Sequence, residues 1–109
     1  MEPRDYVIRA VAFQHGAHWV AQCLEHDIAT QALTPDALLH ELERILVAHL
    51  VVADREGIEP FAKIPKAPRR FWEMYRRARA KVQTIPASEI PGFRKQAAPK
   101  VQLAFAEAA

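Results

Sequence analysis

The sequence predicts an α+β domain: an antiparallel sheet of three to four strands in the order β-β-β-α-α-β, with both helices packed on one face of the sheet. Three observations carry this. Two runs rich in β-branched and aromatic residues, Tyr6–Gln14 and His18–Leu24, flank a His15-Gly16-Ala17 turn. A capped segment with helical apolar spacing starts at Thr34. A period-two run, Val101–Ala106, follows late in the chain. At 109 residues with 50% hydrophobic content, one modest core is expected. A single domain spans residues 1–109, with residues 58–109 as a helix-plus-strand C-terminal extension.

The first strand is apolar on both faces. Ile8, Ala10 and Ala12 alternate with Val7, Val11 and Phe13, which predicts cover on more than one side. Gly16 supplies the conformational freedom that the hairpin turn demands. Glu25-His26-Asp27 is a polar break, and Ile28–Ala32 a short third strand. Thr34 then caps a helix, with Pro35 at its first position, where no amide is needed, and Asp36 at the positive end of the dipole. Leu38, Leu39, Leu42, Ile45, Leu46, Leu50 and Ala53 form its inward arc to about Asp54, and Gly57 is the expected terminator. Val47 and Val51 fall away from that arc, beside His40 and Arg44. Apolar residues there predict a second contact surface, either a subunit contact or cover from the C-terminal segment.

Residues 58–67 hold Pro60 and Pro65, with Pro68 adjoining, and read as an extended linker. Pro68 opens a second helix predicted to run to about Val82, with Phe71, Met74, Tyr75, Ala78 and Val82 as its apolar stripe. Thr84–Lys100 contains three further prolines and reads as irregular. The final strand is expected at a sheet edge.

The net charge of +2 conceals an asymmetry. Residues 1–62 carry 4 Lys/Arg against 10 Asp/Glu, and residues 63–81 carry 8 against 1. A basic segment beside an acidic body marks an interaction surface or a solvated face that complements the body. Arg69, Arg70, Arg76, Arg77 and Lys81, with Trp72 at the margin, have the composition of a nucleic-acid surface. Helical spacing turns Phe71 and Tyr75 inward, which disfavours base stacking and a membrane-surface role.

Catalytic and metal chemistry find little support. His15 and His18 have an H-x-x-H spacing without an evident third ligand. Cys23 precedes Glu25, His26 and Asp27, a thiol-imidazole pairing in outline, yet alternation places Cys23 on the face of Trp19 and Ala21 as a small core residue. His49 falls near the centre of the helical apolar arc, as a core-edge histidine. No Gly-rich phosphate loop, Ser/His/Asp arrangement or C-x-x-C occurs. No catalytic residue, cofactor or metal is therefore assigned. The lone cysteine suits a reducing compartment, MEPRDYVIRA lacks a signal region, and no run reaches the roughly 18 apolar residues of a membrane span, so a cytoplasmic protein is expected.

Trp19-Val20-Ala21-Gln22-Cys23, Ile28-Ala29-Thr30-Gln31-Ala32 and Leu33-Thr34-Pro35-Asp36-Ala37-Leu38 together resemble the HicB-like antitoxin domain. The resemblance covers about residues 6–53. It departs from the family pattern at Ala32, where a glycine is usual, and at Pro35-Asp36, where paired acids are usual. No helix-turn-helix or ribbon-helix-helix fits residues 58–109. The resemblance implies a partial RNase H-like β-β-β-α-β unit without the nuclease carboxylates. It also implies a non-catalytic, self-associating module that binds a protein partner such as a small basic toxin.

Overall fold

The computed structural model describes residues 4–78, 80–82 and 97–106. Five strands and two helices follow in the order β1 (Arg4–His15), β2 (His18–Cys23), β3 (Ala29–Ala32), α1 (Pro35–Glu56), α2 (Arg69–Arg77), β4 (Ala80–Val82) and β5 (Ala97–Phe105). The class is α+β, as expected. The sheet, however, is mixed and five-stranded, in the order β3-β2-β1-β5-β4. β1 pairs antiparallel with β2 and parallel with β5.

The hairpin closes through Gly16-Ala17, with His15 opposite His18 and Gly16 at φ +62°. Glycine at the first central position is the type II′ pattern, whose twist matches that of the flanking strands. Cys23 donates its amide to the Ile28 carbonyl at 2.9 Å, closing the polar loop 24–28 before β3. α1 starts where the sequence places it: Thr34 accepts from the Ala37 amide at 3.1 Å. It ends at Gly57, which is left-handed at φ 66° and donates its amide toward Ala53 and Asp54.

Alternation along β1 divides the molecule into three layers. Ile8, Ala10 and Ala12 face α1 and join Ala21, Cys23, Leu38, Leu42, Leu46, Val101 and Leu103 in the main core. Arg9, Val11 and Phe13 face the other way, toward α2. The helices therefore lie on opposite faces of the sheet, not on one. The reason is visible in the strand itself: with both faces of β1 apolar, one helix leaves half of it wet. Val11 and its β5 neighbour Ala104 are fully buried, and Phe13 stacks on Phe71 at 5.9 Å. A parallel pair with both faces covered follows the general rule for such pairs.

Three further expectations change. β5 lies between β1 and β4 rather than at an edge, so residues 97–105 supply an internal strand of the sheet. This suits its alternation, in which Val101 and Leu103 are buried on one side and Ala104 on the other. α2 stops at Arg77, because Ala78 turns to extended backbone (φ −66°, ψ 132°) and the chain enters β4. Lys81 thus sits on β4 opposite Ala104, off the basic helix. Of the segment read as irregular, residues 97–100 belong to β5, and 84–96 fall outside the described residues. Among the described residues, no helix is long and apolar enough to cross a membrane.

Candidate functional site

Two of the exposed large apolar side chains among the described residues lie together where α1 ends, while Val7 and Leu33 lie apart from them. The C-terminal half of α1 and the following loop enclose a groove of about 470 Å³, walled by Ile45, Ala48, His49 and Val52 from the helix and by Ile58, Phe61 and Ile64 from the loop. Val52 and Ile58 are 51% and 57% exposed, and both line it. Large apolar side chains left this open, side by side, mark an interaction site more often than a neutral surface.

The floor of the groove is set by Phe61. It is buried, and its backbone is left-handed at φ 64°, a region that costs a residue with a side chain about 1–2 kcal/mol. Its ring is stacked on His26 at 4.5 Å and tilted against His49 at 5.7 Å. The loop is tied to the sheet nearby: Asp27 donates its amide to the Pro65 carbonyl at 2.7 Å, and Ala67 donates to Leu24 at 2.9 Å. Gln22, buried at the end of β2, donates to Asp27 Oδ1 at 2.8 Å and to the Cys23 carbonyl at 3.0 Å. His26 is held below the ordinary histidine range, first because burial penalises its charged form. The Glu25 carboxylate and the Ile64 backbone pull the other way, and His49 adds a small further lowering. Its Nδ1 is buried without a hydrogen-bond partner. This cluster was legible only in part: His49 was placed at the core edge, but nothing local announces a left-handed phenylalanine in a proline-rich loop.

The helix that walls the groove is acidic along its length, while the groove's own lining holds one charge of each sign. Between Pro35 and Glu59 there are six carboxylates, Asp36, Glu41, Glu43, Asp54, Glu56 and Glu59, against Arg44 and Arg55. Glu59 itself lines the groove, with Lys63 the basic side chain on its wall.

Val47 does not belong to this surface. It is 1% exposed, closed over by the chain itself, and Val51 is half-buried. The expectation that the pair faces outward is corrected for Val47. At about 100° per residue, Val47 sits only some 100° around from Leu42–Leu46, so an inward arc slightly over half the helix reaches it. The apolar residue that does point out is Val52, on the opposite flank of α1.

The sheet has a second feature of note at its β3 edge. β3 reads Ala29-Thr30-Gln31-Ala32 and, among the described residues, pairs with β2 alone. It carries neither charge nor proline, the devices that usually block edge-to-edge pairing.

Opposite the groove, α2 presents Arg69, Arg70, Arg76 and Arg77, all exposed. Trp72 is not free for stacking. Its Nε1 donates to the Ala67 carbonyl at 3.1 Å, and Arg9 and Lys66 stand over its ring at 4.9 Å and 6.0 Å. Arg9 is fixed by the Glu25 carboxylate, which accepts from its Nε at 2.5 Å and from its backbone amide at 2.8 Å.

The thiol chemistry considered for Cys23 finds no support in the geometry. Cys23 is fully buried in the α1 side of the core. Burial, and secondarily the Glu25 charge, pushes its thiol up to about 12, so the nucleophilic thiolate is scarce at neutral pH. His26 is engaged with Phe61. Among the described residues, no group of three or more His, Cys, Asp or Glu could hold a metal ion, and His15 and His18 stand alone at the hairpin.

Comparison with family models, with curated proteins and with solved structures finds no match to this chain.

Proposed function

We propose that this is a non-catalytic protein-interaction module of the HicB-like antitoxin kind, which receives a small basic protein partner in the groove beside α1 and self-associates along β3. The groove carries the reading. It joins an exposed apolar surface, around Val52 and Ile58, to a helix and loop in which six carboxylates stand against Arg44, Arg55, Lys63 and Lys66. Apolar contact would supply affinity there, and the net acidity of α1 would steer a basic partner. The chain order is compatible with the resemblance: three antiparallel strands, a capped helix and, after α2 and β4, a later strand beside β1. The uncharged β3 edge is suited to a second copy, since two such edges can pair about a two-fold axis.

The test is binding of a labelled amphipathic lysine-leucine peptide, compared with a glutamate-leucine peptide of the same pattern. The basic peptide should bind, and Val52→Glu/Ile58→Glu should weaken it at least tenfold. Equal binding of the two peptides, or an unaffected double variant, counts against the groove. For self-association, sedimentation of Gln31→Lys against the parent chain decides. The substitution places like charges across the two-fold, and an unchanged mass would remove β3 as the contact.

A further inference from the structure

We propose that the outer face of α2 binds duplex nucleic acid through its phosphates, without reading the bases. This surface lies on the other side of the sheet from the groove, so it stands independently of the partner reading. At about 100° per residue, the backbone positions of Arg69, Arg70, Arg76 and Arg77 fall within an arc of roughly 120° opposite Phe71 and Tyr75, with the Arg70 guanidinium reaching round to the edge of the arc over the Phe71 ring. All four are exposed, and exposed Lys66 precedes them. Glu73 is the single carboxylate of the helix and sits 3.4 Å from Arg69. From Arg69 to Arg76 the helix rises about 10 Å, a length over which a duplex presents several phosphates.

Three observations select the occupant. The arc holds no apolar anchor of the kind a protein interface is built around, so a uniformly charged polymer fits it better than a folded acidic protein. The apolar side is turned to the sheet, with Phe71 on Phe13 and the Tyr75 hydroxyl donating to Gln102 at 3.5 Å, so the half-buried rings of α2 are directed away from a lipid surface that would meet the arginines. The aromatic rings that could hold unpaired bases are already engaged: Trp72 by Arg9 and Lys66, and Phe71 by Phe13 and by Arg70 at 4.6 Å. Single-stranded recognition relies on such rings. Phosphate contact on a duplex does not.

The experiment is fluorescence anisotropy of a labelled duplex of about 20 base pairs across a salt series. Four phosphate contacts predict a slope of log affinity on log salt of about −3.6, or a roughly 150-fold loss between about 50 and 200 mM salt. Arg76→Ala/Arg77→Ala should lower that slope to about −1.8, leaving a roughly twelvefold loss over the same range, with far-UV circular dichroism unchanged. A duplex of shuffled sequence should bind equally. The proposal is overturned by absence of binding at low salt or by a slope near zero. It is also overturned by tighter binding of the single strand, or by polyglutamate competing as well as the duplex does.

Discussion

The ring of Phe61 lies nearly parallel to the imidazole of His26, 4.5 Å away, with an interplanar angle of 20°. One residue comes from the loop before β3 and the other from the loop after α1, so this contact fastens two connections that the sheet does not join.

Phe61→Ala should cost about 3 kcal/mol or more, the usual loss for a buried phenylalanine. Phe61→Gly removes one carbon more, yet should be no less stable than Phe61→Ala. Glycine relieves about 1–2 kcal/mol of left-handed strain, which offsets its greater entropy in the unfolded chain. Urea denaturation of both variants checks the order. A glycine variant weaker by more than about 1 kcal/mol would contradict the strain assignment.

Stability should fall on acidification below neutrality. His26 in the fold is held below its ordinary 6.5, first by burial, so the unfolded chain takes up its proton at a higher pH than the folded one. The sign follows: stability is intact above pH 6.5 and declines as pH falls from there through the lowered folded value. His26→Phe keeps an aromatic ring on Phe61 and has nothing to protonate there. Its urea midpoint should lose part of the slope that the parent shows between about pH 7 and 5. Identical slopes would mean that the histidine titrates alike in both states.

Val47→Glu and Val52→Glu should separate sharply although they lie five positions apart on one helix. The first places a carboxylate in a fully enclosed site and should destabilise by more than about 3 kcal/mol or prevent folding. The second stays in solvent and should change stability by no more than about 0.5 kcal/mol. Thermal unfolding distinguishes them, and comparable losses would place Val52 inside.

Cys23 should resist alkylation in the native state. Its burial and its raised thiol predict labelling at pH 8 that is more than about a thousandfold slower than in urea, since reaction must wait for opening of the core. Rapid native labelling would require a route to the sulfur from solvent.

What the sequence disclosed was what short-range chemistry decides. Thr34, Pro35 and Gly57 state the limits of α1 within a few residues of themselves. Gly16 does the same for the hairpin, and the doubly apolar β1 announces that both its faces are covered. The remainder depends on residues far apart. Nothing near Val101 says that β5 lies parallel to β1, and the stripe of α2 does not say which face of the sheet it meets. Val47 misled because a helical wheel gives direction but not how far the surroundings wrap. Lys81 misled because a basic, alanine-containing run suits a helix until the extended backbone at Ala78 commits it to β4. For the groove, neither the exposure of Val52 and Ile58 nor the left-handed Phe61 between the loop and the helix had a local signature.

β1 and β5 run side by side from Arg4 opposite Ala97 to Ala12 opposite Phe105, every pair 93 positions apart. Because the strands are parallel, Arg4 and Phe105 mark opposite ends of one ladder. A force drawing those two points apart slides β1 along β5 and loads the whole row of hydrogen bonds together, instead of opening it one bond at a time. The arrangement predicts that pulling between Arg4 and Phe105 meets more resistance than pulling that opens the ladder from one end, a difference that force spectroscopy along the two directions would check.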